Sequence, residues 1–101
     1  MMAERRTREP SHPGSLLREV VLPSIGVSIA QAAREMGVSR QQLYMILREE
    51  RAITAKMAMR LGKYCGNGAE LWLNMQRAHD LWRARRALAD EIAAIPTRAA
   101  S

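Results

Sequence analysis

Three residues, Gly37, Val38 and Ser39, are all that separate two stretches that both read as amphipathic helices, and no other feature restricts the fold as much. The first stretch opens at Ser28 with Gln31 three positions on, and the second opens at Ser39 with Gln42 three positions on. In each, the serine hydroxyl is placed to accept from a first-turn N–H while the glutamine reaches back to the serine's own N–H, a capping box. Ile29, Ala32, Ala33 and Met36 give the first helix an inward face, and Leu43, Ile46 and Leu47 do the same for the second. Gly37 stands where a left-handed residue without a Cβ ends a helix at least cost. Two capped helices joined this tightly must cross steeply, so the second projects from the body of the domain in a helix-turn-helix spanning about residues 28–48.

The remainder reads as helix as well. Phe is absent, β-branched residues are scattered, and no stretch alternates apolar with polar residues for long. Pro13 suits the first position of a helix carrying Leu16, Leu17 and Val20, and Pro23 should stop it. Thr54 caps a fourth helix with Ala55, Ala58, Leu61 and Cys65 on one face, ended by Gly66. Asn67 is the expected cap of a fifth and long helix from about Gly68 to Ala89, with Glu70 favouring its positive end. The expectation is an all-α chain of one domain over residues 12–94, with segments 1–11 and 95–101 fraying at either end.

Charge narrows the partners. Sixteen Lys and Arg against ten Asp and Glu give a formal charge of +6, which suits a polyanion such as nucleic acid. Cys65 is the only cysteine, so one chain can build neither a disulfide nor a cysteine zinc site, and it should pack as a small apolar side chain. No apolar run nears the roughly 20 residues that span a bilayer, and MMAERRTREP lacks the apolar stretch of a signal peptide, so a cytoplasmic protein with no membrane partner is expected. His12, His79, Cys65, Asp80 and Glu70 are scattered and lack ligand spacing, so neither an enzyme nor a metal site nor a cofactor is expected.

The residues exposed on the third helix carry the function. Arg donates bidentately to guanine and Gln pairs with adenine in the major groove, which makes Arg40 and Gln41 the expected base readers, with Gln42 reading or capping. One turn later, Met45 suits a thymine methyl, and Tyr44 and Arg48 suit phosphate. The helix starts at Ser28, with Gln31, and at Ser39 offer free N–H groups to the DNA backbone. Alternatively, these are only soluble helix formers on an exposed face; the Gly37-Val38-Ser39 turn argues against that.

On the fifth helix, Trp72, Met75, His79 and Trp82 recur at spacings of three, four and three. This narrow stripe is what two helices bury against each other, and it is the expected dimer interface. Arg83, Arg85 and Arg86 follow it and track phosphate or merely complement the helix dipole.

The run His12-Pro13-Gly14, Leu16-Leu17-Arg18-Glu19 and Ala33-Arg34-Glu35-Met36-Gly37-Val38-Ser39-Arg40-Gln41 resembles the HigA-type (VapI-like) antitoxins. So do Arg51-Ala52-Ile53-Thr54, Ala58-Met59-Arg60-Leu61 and Glu70-Leu71-Trp72-Leu73-Asn74-Met75-Gln76 with His79-Asp80-Leu81. The resemblance implies a five-helix, lambda-repressor-like (Cro/C1) domain with a long last helix. It further implies a homodimer that neutralises a RelE/HigB-like mRNA endonuclease toxin and represses its own operon by binding double-stranded operator DNA. A stand-alone regulator of the same fold, and a protein whose basic face binds RNA or an acidic protein, remain the other readings. Arg48-Glu49-Glu50 departs from the family's Asn-Gly-Lys, which predicts a longer third helix and a lost phosphate contact. For the toxin, Arg5, Arg6, Arg8 and Arg18 at the N-terminal side, or Glu19, Glu35, Asp90 and Glu91 if the toxin is basic, are the candidate contacts.

Overall fold

The computed structural model describes residues 8–100, and among them there are six helices and no strand. We number them α1 (Pro13–Ile25), α2 (Ile29–Met36), α3 (Arg40–Leu47), α4 (Ala55–Cys65), α5 (Ala69–Ala87) and α6 (Ala89–Ala94). Arg5 and Arg6 lie outside the described residues.

α1 starts at His12, whose Nδ1 accepts from the Gly14 N–H at 2.9 Å, with Pro13 in the first helical turn. Pro23 does not stop it, contrary to expectation. Over Leu17–Val21 the helix widens to a π-turn, in which the Leu22 N–H reaches back five residues to the Leu17 carbonyl. The proline ring needs room against the preceding turn and brings no N–H of its own, and the widened turn accommodates both demands. Gly26, at φ 81°, ends the helix, and α2 leaves at 95° to it.

Ser28 and Ser39 cap α2 and α3, each hydroxyl accepting from the N–H three residues on at 3.0 Å. The capping box at α2 closes on one side only, because the Gln31 side chain donates to Glu35 instead of returning to Ser28. Thr54 caps α4 in the same way, through the Met57 N–H. On α4 the buried residues are Met57, Ala58, Leu61 and Gly62, while Ala55 faces solvent. Asn67 does not cap α5: its Oδ1 accepts from the Trp72 indole at 3.0 Å, and α5 opens at Gly68 without a side-chain cap. That bond satisfies the one polar atom of a tryptophan with no exposed surface. Trp72 packs with Leu17, Leu43, Ile46, Leu61 and Ala58 in the core that holds α3 against the body.

α5 ends at Ala87. Leu88 breaks the regular helix at φ −112°, and α6 carries on without a buried residue. The N-terminal stretch expected to fray is fastened from Glu9 onward, where the Glu9 carboxylate pairs with the Arg83 guanidinium and the Pro10 carbonyl accepts from His79 Nδ1 at 2.8 Å.

Candidate nucleic-acid interface

The turn between α2 and α3 fixes the projecting helix through backbone chemistry. Gly37, at φ 74°, donates to the Arg34 carbonyl, and Val38 donates to the Ala33 carbonyl five residues back, closing α2 within a single residue. Arg60, reaching from α4, donates to the Met36 carbonyl at 2.6 Å and so occupies one of the acceptors that a helix end leaves free. Ser39 opens α3 directly afterwards. Leu43, Ile46 and Leu47 are buried, which turns Arg40, Gln41, Tyr44 and Arg48 outward, with Gln42 and Met45 half-buried.

The structure thus brings Arg40, Gln41, Tyr44 and Arg48 to one exposed side of a short helix held from both ends, with Met45 at its margin and Gln42 turned towards the buried side. Ser39 and Ser28 are exposed, and Gln31 is half-buried beside Glu35. The Arg48 guanidinium lies over the Tyr44 ring at 5.9 Å and within 3.6 Å of the Glu50 carboxylate, so Glu50 faces a cation on its own loop.

The far end of α3 departs from expectation. The helix does not run on past Arg48, because Glu49 takes φ 63°, the left-handed region. Glu49 donates to the Ile46 carbonyl at 2.9 Å and Glu50 to the Met45 carbonyl at 2.8 Å, the same pair of bonds that Gly37 and Val38 make after α2. A side chain there costs about 1 to 2 kcal/mol that glycine would not. Arg18 lies against this turn: its guanidinium donates to the Leu47 carbonyl at 2.5 Å and lies 3.4 Å from the Glu49 carboxylate.

Of the expected interface stripe, two members are occupied elsewhere. Trp72 is wholly within the core, and His79 is 7% exposed beneath Pro10 and His12. The physical reason is that the stripe straddles two sides of α5. Its Trp72–His79 edge faces the domain, together with Gln76, whose Oε1 accepts from the Ile53 N–H at 2.8 Å. Met75 and Trp82 remain half-exposed, on a side of the helix shared with Leu71 and Ala78. In the basic cluster, Arg83 is held by Glu9, and Arg86 lies over the Trp82 ring at 4.6 Å.

His12 and His79, far apart in sequence, meet edge to face with ring centroids 5.1 Å apart. Both Nδ1 atoms already have backbone partners, and among the described residues no three His, Cys, Asp or Glu side chains are grouped to hold a metal. Burial lowers the His12 pKa, and the neighbouring His79 lowers it further, so the cap works with a neutral imidazole. Burial pushes the Cys65 thiol up, which keeps it protonated. Among the described residues no single helix is long and apolar enough to cross a membrane.

Sequence reasoning missed Arg18, Arg60 and Gln76 as residues that brace the segments behind this interface. Their bonds span 23 to 31 residues, and no local pattern announces them.

Residues 17–72 match a family model described as "Helix-turn-helix". The chain is 45% identical over 75 residues to "Virulence-associated protein I" of Dichelobacter nodosus, covering 74% of this chain and 69% of that one. It is 33% identical to "Antitoxin HigA-1" of Vibrio cholerae, covering 83% of this chain and 79% of the relative. A solved structure titled "Pseudomonas aeruginosa antitoxin HigA with higBA promoter" superposes with a TM-score of 0.82 at 37% identity, covering 90% of this chain and all of that one.

Proposed function

Because the chain belongs to the helix-turn-helix family and, within it, to the HigA-type antitoxins, we propose that it represses its own operon as a homodimer and neutralises the toxin encoded beside it. The observation that carries the DNA half of this reading is the exposure of Arg40 and Gln41 in the first turn of a helix whose other side is buried, in a chain similar to an antitoxin solved with promoter DNA. Arg40 and Gln41 read base edges in the major groove; Tyr44, Met45 and Arg48 reach the groove edge and the backbone; Ser28, Gln31, Ser39 and Gln42 lie at helix starts whose free N–H groups favour phosphate. Glu50 takes no phosphate contact, since like charge opposes it.

A helix-turn-helix reads two half-sites about one helical turn, roughly 34 Å, apart, which calls for a second copy. The side of α5 bearing Leu71, Met75, Ala78 and Trp82 is the surface for it, since those apolar residues remain partly exposed while Trp72 and His79 are spent inside the domain. The toxin partner is a RelE/HigB-like mRNA endonuclease, and this chain, a binding protein with no reaction of its own, acts in the cytoplasm. A basic toxin fits the carboxylates Glu19, Glu35, Asp90 and Glu91, all exposed, better than it fits the arginines of the N-terminal side.

Co-expression tests the proposal. The adjacent toxin gene alone should arrest growth, and this chain supplied in trans should restore it and also retain its own promoter fragment over random DNA. No rescue by the intact chain rejects the antitoxin role, and equal retention of both DNAs rejects the repressor role.

A further inference from the structure

The two helices of the reading unit end in the same way, and each end is held by an arginine from a flanking helix. α2 closes on Gly37 and its Met36 carbonyl accepts from Arg60 of α4; α3 closes on Glu49 and its Leu47 carbonyl accepts from Arg18 of α1. The two ends differ in one respect. Glycine takes the left-handed conformation freely at the first, while at the second a glutamate is held there against its preference.

What holds Glu49 is visible in the contacts. The Arg18 guanidinium places Nη1 on the Leu47 carbonyl, both Nη atoms 3.4 Å from Glu49 Oε2, and Nη2 on Glu19 Oε2 at 2.8 Å. The planar fork serves the backbone cap and the carboxylate at once, which an ammonium would do less well. The π-turn of α1 contains Arg18, whose side chain reaches the end of α3. One turn of chain before it, Gly14 touches α3 as well: a Cβ there would stand 2.0 Å from the Ile46 carbonyl oxygen. α1 therefore grips the last turn of the reading helix at consecutive carbonyls, and it turns the Glu49 carboxylate toward itself.

We propose that Arg18 is a positioning residue for DNA recognition: by pairing with Glu49 and capping Leu47 it holds the end of α3 in the turn that sets the reading helix at its working angle. The proposal rests on the assignment of base reading to α3. It makes Arg18 a residue that changes operator discrimination without touching DNA. An exposed pair of this kind adds little stability of its own, so its value lies in geometry.

The test is a set of full-length variants titrated by fluorescence anisotropy onto the chain's own promoter duplex and onto a random duplex of equal length. The ratio of the two affinities is the readout, because a change in net charge acts on both DNAs and cancels. Arg18→Ala should lower that ratio about three- to tenfold. Glu49→Gly should leave it unchanged, since glycine needs no holding, and Glu49→Gly added to Arg18→Ala should restore most of the loss. Should Arg18→Ala fail to fold, Arg18→Met, which keeps an apolar stem and gives up both the Leu47 cap and the charge, carries the same expectation. An unchanged ratio in the single variant, or a loss that Glu49→Gly does not relieve, overturns the proposal. Arg40→Ala is the control for the premise: if it leaves the ratio intact, base reading by α3 fails and the proposal falls with it. If Arg40→Ala lowers the ratio and Arg18→Ala does not, the positioning role alone is rejected.

Discussion

Arg40 is placed by two local facts, the Ser39 cap before it and the burial of Leu43 one turn after it, and both turn its guanidinium away from the core. A guanidinium that donates two bonds to one guanine discriminates against other bases by about 1 to 3 kcal/mol, so Arg40→Ala should weaken operator binding by that amount and random DNA by far less. Titration of the two duplexes at one fixed salt concentration checks it; equal losses would make Arg40 a phosphate contact. At this scale the sequence is legible wherever the interaction is local. Ser28, Ser39 and Thr54 cap the helices they were expected to cap, because a cap is decided within four residues. Asn67 was a plausible cap by the same rule and is not one, because a buried indole N–H five residues away competes for its oxygen. Glu49 defeats local reasoning from the other side. Nothing within its own loop favours a left-handed glutamate, and the side chain that meets it is Arg18, 31 residues earlier.

At the scale of elements, the start of α1 works like a clasp between the N-terminal segment, α3 and α5. His12 caps α1 through Nδ1 while its ring lies on His79, and Arg51, Glu49 and Asp80 are the other groups that bear on its charge. Protonating Nδ1 would break the cap and set a cation beside His79. The folded chain therefore holds His12 below its ordinary value of 6.5, by burial first and by His79 second. The sign follows from linkage. Above pH 6.5 His12 is neutral both folded and unfolded, and its contribution is fully present; as the pH falls below 6.5 the unfolded chain takes up a proton that the folded chain refuses, and stability declines. Urea midpoints at fixed protein concentration should therefore drop between pH 7.5 and 5.5. His12→Asn, which keeps an acceptor at the cap and does not titrate, should flatten that decline. A profile as steep in the variant as in the parent would assign the decline to another group. Several helix boundaries were readable from glycine and serine, but the end of α3 at Glu49, the start of α5 and its break at Leu88 were not, nor was α1: Pro23 reads as a stop only while the helix before it is regular, and the π-turn is a tertiary accommodation.

The whole molecule is an elongated body, 50 × 30 × 24 Å, in which the core covers α5 on one side only and leaves α6 exposed. Periodicity along α5 identified a stripe but could not say which edge the domain would use, since spacing gives relative angle and not direction. The core takes Trp72, Gln76 and His79; what remains for a second copy is Leu71, Met75, Ala78 and Trp82, which return at spacings of four, three and four along the adjoining side. If that side joins two copies, the protein at micromolar concentration should scatter light as twice the 11.4 kDa of one chain. Met75→Glu would bury a charge in the joined surface and should return it to the single-chain mass with its helical circular dichroism unchanged, because Met75 is not part of the buried core. The same variant should lose operator affinity more than Arg40→Ala does. Each half-site contact is weak alone, and joining the two reading helices makes the second binding event intramolecular. A Met75→Glu chain that remains dimeric would move the interface off this side of α5, and an unsubstituted chain that scatters as 11.4 kDa across the micromolar range would remove the dimer and with it the two-half-site account of repression.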